Sequence, residues 1–264
     1  MFNIIIQKIK EQFKSIIYYF TGLFAYAWMI VGLYPTIQQV DLEKMYAAYP
    51  KELLKFFGAS DMISLAKFEG FISMEFLSLF FIIIIAFYVA SSAGSTIAGA
   101  IEKKTIEFQL SQPISRTKLV LSEAVVSLFY TALLVKATSL SIFILCKLYN
   151  VDISFKGLIA FSIMAIIFLW SIYGIAILIS SLVKSKITVA SATLSIVIGL
   201  YVFTAMTKLV DKLKDYDKFS LFYTYDPQKL LETGNLNLLH IEILLGILLA
   251  GLISSIFIFK NKDL

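Results

Sequence analysis

The sequence predicts an all-α integral membrane protein with six transmembrane helices in one domain. Of its 264 residues, 59% are apolar and only 16% are charged, and the mean hydropathy is +0.85. Soluble domains are far less apolar. Six apolar runs each approach or exceed the roughly 20 helical residues that cross the hydrocarbon core of a bilayer. The runs are continuously apolar, whereas strands of a membrane barrel would alternate, so we expect helices.

The predicted domain covers residues 1–264, and charged segments separate its spans. The spans lie near residues 16–34, 71–99, 119–146, 156–183, 187–207 and 238–259. Lys and Arg divide evenly between the two sides of this arrangement, but the segments assigned to the inside are much shorter. Because the positive-inside rule applies most strongly to short segments near helix ends, we expect both termini in the cytoplasm.

The first 14 residues predict a short amphipathic helix. Apolar side chains recur at helical spacing, with polar ones opposite. Such a helix would lie in the membrane interface before turning into the first span, and a contact with a cytoplasmic partner stays open. Ala25-Tyr26-Ala27 resembles a signal-peptidase site, but the apolar run continues through Leu33, which favours an uncleaved span.

Two longer loops separate spans on the predicted outer side. Residues 50–58, with Pro early and Gly last, predict a short helix on the membrane surface. Residues 211–218 alternate acidic and basic side chains, which is typical of a solvated helix extension. Neither loop by itself predicts a ligand site.

Small and hydroxylated residues concentrate in the second and fifth predicted spans. The residues singled out are Ser91, Gly94, Ser95, Ser191, Ser195 and Gly199. Small side chains let helix backbones approach closely in lipid, so tight packing within one bundle or between two subunits is the favoured interpretation. A pore wall of hydroxyl groups is the alternative.

Four ionisable residues lie within the predicted spans. They are Glu75, Glu123, Lys136 and Glu242. Because a charge in the bilayer costs roughly 2.5 to 3.5 kcal/mol on insertion scales, each is a candidate site. The glutamates lie near helix ends, where an interfacial role explains them, and Lys136 either has a functional role or reaches outward along its apolar stem.

Several chemical classes are excluded by what the sequence lacks. It has no Gly-x-x-x-x-Gly-Lys-Ser/Thr loop, no His-Glu-x-x-His and no chain of central carboxylates. The single histidine, His240, falls at an outer helix edge, and Cys146 has no partner for a disulfide. We therefore predict no catalytic residues, no metal site, no directly bound cofactor and no nucleic-acid contact. A passive channel, a scaffold and a subunit of a powered machine remain.

The charged segment 101–118 between the second and third spans is the most informative part of the chain. Thr105 to Leu110 predicts a short helix, Pro113 ends it, and Ser115 is placed to cap the third span. Arg116 and Lys118 oppose the helix dipole at that start, so they serve another purpose. Positive-inside anchoring and contact with an acidic partner surface are the two explanations.

Glu102 to Arg116 resembles the signature loop of ABC-2 type transporter permeases. The shared pattern is an acidic-basic start, Thr-Ile/Leu-Glu, an apolar stretch and Pro-Ile/Val-Ser/Thr-Arg. The six spans, the amphipathic N-terminus and the outer Asp226-Pro227 extend the resemblance over nearly the whole chain. Many members have Gly where this sequence has Lys104, so we expect a more helical start to the loop.

The resemblance implies a permease in the cell membrane that dimerises with a second copy and receives two cytoplasmic ATPase subunits, which carry ATP and Mg²⁺. In such families this loop couples ATPase closure to movement of the spans. Thr105 to Leu110 would dock, and Glu102, Glu107 and Arg116 would fix the orientation. The full predicted set is Glu102, Lys103, Lys104, Thr105, Ile106, Glu107, Phe108, Leu110, Pro113, Ser115 and Arg116.

The resemblance also implies that the second and fifth spans line a dimer interface and an export path. Aromatic and hydroxylated spans with few charges favour an amphipathic cargo, namely a peptide, an antibiotic or a lipid-like molecule. The chain is similar to small permeases of Gram-positive bacteria that export peptides or antibiotics, including the phenol-soluble modulin exporters.

Overall fold

Six helices that are long and apolar enough to cross a membrane make up the computed structural model, which describes residues 2–37, 67–106 and 115–262 and contains no strand within those ranges. The six spans, numbered in chain order, are Ile5–Ile37, Phe68–Thr96, Arg116–Leu148, Phe155–Leu182, Lys186–Leu209 and Leu238–Lys260. They confirm the predicted all-α membrane fold. The short helix predicted at 50–58 lies outside the described residues.

The first span belongs to a single continuous helix, Phe2–Ile37. The expectation that residues 1–14 form a separate interfacial helix and then turn is therefore wrong. Nothing in the sequence breaks the helix before Pro35, and side chains of the third span hold its start. The Tyr130 hydroxyl donates to the Ile9 carbonyl at 2.7 Å, and Lys8 forms an ion pair with Glu123 at 2.8 Å.

The first and third spans lie side by side in the same direction. Lys8 near the start of the first span meets Glu123 in the third, and Trp28 further along donates to the Tyr149 hydroxyl at 2.8 Å. Because the first and third spans run in the same direction, the second span between them must cross the bundle in the opposite direction. The contacts therefore agree with the predicted alternation of the spans.

The second span is interrupted where the sequence predicted a regular helix. An α-helix at Phe68–Ile72 passes into a π-helical turn at Ser73–Leu77, followed by Phe80–Thr96 and the short helix Ala98–Glu102. Tyrosines from elsewhere satisfy carbonyl groups of the π-helical turn. The Tyr26 hydroxyl donates to the Glu75 carbonyl at 3.3 Å and that of Tyr225 to Leu77 at 3.0 Å. These outside donors compensate for the irregular backbone.

The fourth span is the most extensively buried, and it packs closely against the sixth. Gly174 and Gly251 lie at the point of contact. A Cβ added at Gly174 would be only 2.7 Å from Leu248 Cα, so only glycine permits this approach. The small residues of the second and fifth spans predicted close packing there, whereas this glycine pair of the fourth and sixth spans was not predicted.

Short helices cover one end of the bundle between the fifth and sixth spans. The charged run expected to extend an α-helix is instead a 3-10 helix, Asp211–Phe219, followed by Leu221–Thr224 and Pro227–Thr233. Asp226 caps the last of these by accepting from the Lys229 backbone N–H at 3.1 Å. The Tyr225 ring stacks on Phe168 at 4.8 Å, and burial raises the pKa of its hydroxyl well above the ordinary value.

Candidate functional site

The end of the bundle that carries the charged segment brings four parts of the chain together. We call it the loop face, made of residues 98–106, 115–118, 181–186 and 259–262. Hydrogen bonds join its parts across 80 or more residues of sequence: Glu102 accepts from Lys186, and Arg116 donates to Phe259. The two ends of the predicted coupling segment are thus fixed to the rest of the bundle, while residues 107–114 lie outside the described residues.

The start of the segment turns sharply at Lys104. The helix Ala98–Glu102 ends when the Thr105 N–H donates to the Ala100 carbonyl at 2.9 Å and the Lys104 N–H donates to Ile101 at 3.0 Å. This bond pair is a Schellman motif, which places Lys104 in the left-handed region at φ 55°. The expectation of a more helical start was therefore wrong. The motif favours glycine at position 104, which is the residue that many ABC-2 permeases have there.

The four residues of the predicted coupling set that follow Glu102 divide into three exposed residues and one buried residue. Lys103, Lys104 and Thr105 are exposed, and Thr105 also donates its hydroxyl to the Ala100 carbonyl at 3.3 Å. Ile106 is only 4% exposed and packs in the core instead of facing outward. Glu107, Phe108, Leu110 and Pro113 lie outside the described residues, so their predicted roles stay predictions.

Glu102 closes the start of the fifth span. Its Oε2 accepts from the Lys186 backbone N–H at 2.8 Å, and its Oε1 accepts from the Ser185 hydroxyl at 3.3 Å. The first N–H groups of a helix lack partners within the helix, and its dipole favours a negative charge there. A carboxylate from the end of the second span thereby caps the fifth span.

Arg116 closes the end of the sixth span. Its Nη1 donates to the carbonyls of Phe259 at 2.8 Å, Lys260 at 3.2 Å and Lys262 at 2.8 Å, and the guanidinium lies 5.4 Å from the centre of the Phe259 ring. These carbonyls end a helix whose dipole favours a positive charge. This capping explains why a cation that opposes its own helix dipole stands at position 116. Neither sequence-based explanation anticipated it.

The C-terminal tail makes a third such contact. Lys262 Nζ donates to the Ser181 carbonyl at 2.8 Å, at the end of the fourth span. Burial and the positive charge of Lys184 lower the pKa of the Lys262 amino group. Nearby, Ser180 accepts a hydrogen bond from the Ala98 N–H at 3.2 Å, which ties the second span to the fourth.

Ser115 forms the predicted cap of the third span. Its hydroxyl oxygen accepts from the Lys118 N–H at 3.3 Å. Because the cap fixes how the chain enters the helix, it also fixes the point from which Arg116 reaches the sixth span. This part of the prediction is confirmed by the local geometry.

The small residues of the second and fifth spans divide into two groups. Gly94 is buried where the spans touch, since a Cβ there would lie 3.1 Å from the Lys186 carbonyl oxygen and 3.2 Å from Val189. Ser95, Ser191, Ser195 and Gly199 are exposed, and Ser91 is half-buried. Packing within this chain therefore accounts for Gly94 and leaves the other five beside an outward surface.

The four ionisable residues of the spans have unlike surroundings. Glu123 is 7% exposed and is paired with Lys8, so its charge is compensated inside the bundle. Glu75 is half-buried in the π-helical turn, and Glu242 is exposed near the start of the sixth span. Lys136 is exposed on the third span and makes no ion pair with any residue that the structure describes.

Fold and loop face together define a multi-pass α-helical membrane subunit whose connecting segment is bonded to several spans. The family model for the ABC-2 family transporter protein matches residues 8–264. The chain therefore belongs to the ABC-2 transporter family and is a permease subunit of an ABC transporter. Membership of this family implies an ABC ATPase subunit as the partner. A search of curated proteins found no match.

Proposed function

We propose that this permease drives export of an amphipathic substrate out of the cell, powered by a cytoplasmic ATPase that docks on the segment 101–118. The observation that carries this proposal is the bonding of both segment ends. Glu102 is held at the fifth span and Arg116 at the sixth. A rigid connection transmits displacement, whereas a flexible loop would absorb it.

The ATPase would be present in two copies. ATP and Mg²⁺ would bind to the ATPase and not to this chain. Docking would use the apolar side chains of Phe108 and Leu110 together with the charged side chains of Lys103 and Lys104. Both lysines are exposed, which leaves them accessible to an acidic partner surface.

Two permease copies would form the transporter. The surface beside the second and fifth spans supports this arrangement, because Ser95, Ser191, Ser195 and Gly199 are exposed there. A Cβ at Gly199 would meet nothing within 4 Å, so a second backbone has room to approach. Small residues at such a surface permit close helix contact in lipid.

The side chains that the spans expose support this substrate class. Tyr18 is 76% exposed and Trp28 50% exposed, and both combine an apolar ring with a polar group. Such surfaces suit a peptide, an antibiotic or a lipid-like cargo better than an ion. The proposal retains the resemblance to small Gram-positive exporters of this kind, including phenol-soluble modulin exporters, with both termini in the cytoplasm.

The test is reconstitution in liposomes with the ATPase that co-purifies with the chain. Amphipathic peptides and lipids are then compared for stimulation of ATP hydrolysis and for ATP-dependent transfer. We expect at least one amphipathic class to stimulate both, and Phe108→Ala to abolish the stimulation. Transfer or conductance without nucleotide would establish a passive channel instead.

A matched pair of substitutions separates transport from scaffolding. Ser195→Leu on the exposed face should block transfer, whereas a scaffold would tolerate it. Gly94 is unsuitable for this comparison, because any side chain there meets the Lys186 carbonyl. Ile198→Leu, at an exposed and already apolar position, serves as the control.

A further inference from the structure

The structure assigns to Arg116 and Glu102 a positioning role: they make the sixth and fifth spans move with the ends of the segment 101–118. This inference rests on the proposed function and adds the route by which motion reaches the half of the bundle that the segment does not join covalently. The chain itself connects the segment only to the second and third spans.

Each contact has the sign that the helix end favours. The carboxylate of Glu102 faces the N–H groups that begin the fifth span, and the guanidinium of Arg116 faces the carbonyls that end the sixth. Charge assistance makes these hydrogen bonds stronger than those between neutral groups. A displacement of either segment end therefore pulls on a helix end that attracts it.

The Arg116 contact is also spread over several acceptors. One guanidinium nitrogen donates to the carbonyls of Phe259, Lys260 and Lys262, so a small shift redistributes the contact among them. A lysine ammonium has three N–H donors and could keep part of this contact, but it lacks the planar guanidinium that lies 5.4 Å from the centre of the Phe259 ring.

The sixth span gives the sharper test of the two. The fifth span also packs directly on the second, with Val189 against Gly94, and would follow the second span in part without Glu102. The sixth span packs mainly on the fourth, through Gly174 and Gly251, and has less contact with the third. Arg116 is therefore the principal polar link from the segment to the sixth span among the residues that the structure describes.

The experiment follows the sixth span by fluorescence in the complete permease–ATPase complex in liposomes. An environment-sensitive probe is attached at Leu239→Cys, an exposed position at the far end of this span, in a Cys146→Ser background. The measured quantity is the ATP-dependent signal change per ATP hydrolysed, normalised to the amount of ATPase that co-purifies.

We expect Arg116→Ala to reduce this response at least fivefold and Arg116→Lys to reduce it by less. Glu123→Gln, which disturbs the Lys8 ion pair without touching the segment, is the matched control and should retain the response. An undiminished response in Arg116→Ala would overturn the inference. An equal loss in Glu123→Gln would also overturn it, because general destabilisation would then explain the effect.

A rescue variant distinguishes lost positioning from lost folding. In Arg116→Cys/Asn261→Cys, a flexible bismaleimide of about the length of an arginine side chain replaces the contact with a covalent link. Because both cysteines are then used for the cross-link, the substitution Leu239→Trp serves as the fluorescent reporter in place of the attached probe. Restoration of the response by the cross-linker supports the inference, and no restoration in an assembled complex contradicts it. If the unaltered complex gives no ATP response at all, the proposed function fails instead.

Discussion

The carboxylate of Glu102 accepts a hydrogen bond at 2.8 Å from the backbone N–H of Lys186, which is 84 residues further along the chain. This contact joins the end of the second span to the start of the fifth. The charge of Glu102 by itself suggests an interaction with solvent or with a partner. In the structure, Glu102 instead caps a helix of its own bundle. The stability of the fifth span should therefore depend on it.

Glu102→Ala should lower the free energy of unfolding by about 1 kcal/mol, as the loss of a helix cap typically does. Glu102→Gln should cost less, because the amide oxygen still accepts from Lys186 but the charge is lost. Thermal unfolding of the solubilised chain measures both. Asp226→Ala, which removes the cap of Pro227–Thr233 at the opposite end of the bundle, is the matched cap-removing control. Unchanged stability in Glu102→Ala would contradict the capping role.

Lys104→Gly should stabilise the protein by about 1 kcal/mol. The residue has φ 55°, a conformation that costs side chains with a Cβ roughly 1 to 2 kcal/mol, while glycine loses part of the gain through its freer unfolded chain. A shift in the midpoint of thermal unfolding measures the effect. Lys103→Gly, at φ −83°, is the neighbouring control and should give no gain. Equal behaviour of the two variants would count against the left-handed turn.

Gly174→Ala should destabilise the bundle by about 1 to 3 kcal/mol or more, because the added methyl group meets backbone atoms of Leu248 and Ile247 that cannot rotate away. Gly246→Ala, in the sixth span, meets nothing within 4 Å and should be neutral or stabilising by about 0.5 to 1 kcal/mol. The two variants are compared by thermal unfolding in detergent. A reversed order would show that the fourth and sixth spans do not meet at this point.

Lys8→Met should cost about 3 to 5 kcal/mol, because it leaves the buried carboxylate of Glu123 without its 2.8 Å partner. Lys8→Met/Glu123→Met should recover most of that loss, since no uncompensated charge remains. A double-mutant cycle by thermal unfolding gives the interaction energy. Additive effects of the two substitutions would mean that the pair does not hold the first span to the third.

The orientation in the membrane is tested with single cysteines in a Cys146→Ser background. Lys103→Cys, exposed at the loop face, should react with an impermeant maleimide in inside-out vesicles and stay unlabelled in intact cells. Lys218→Cys, exposed in the 3-10 helix between the last two spans, should show the opposite pattern. Labelling of Lys103→Cys in intact cells would invert the proposed topology.

Sequence alone determined the features that depend on local composition. The number of spans follows from runs of apolar residues, because a helix satisfies its own backbone within one segment and needs only enough length to cross the bilayer. The Ser115 cap is similarly local, since its partner is the N–H of Lys118, three residues on. The sequence motif that most specifically resembles ABC-2 permeases, Glu102 to Arg116, is local as well.

Only the tertiary structure decided where the charges and glycines meet. Arg116 contacts the carbonyl of Phe259, 143 residues further along the chain. Gly174 meets Gly251 through backbone atoms, and no sequence pattern in either span marks this contact. The sequence held one signal for the first contact, namely a cation at the helix end that its own dipole disfavours. The sequence could not predict which helix end Arg116 contacts, because a charge attracts a helix end at any sequence separation. The packing of the bundle chooses which helix end lies within reach.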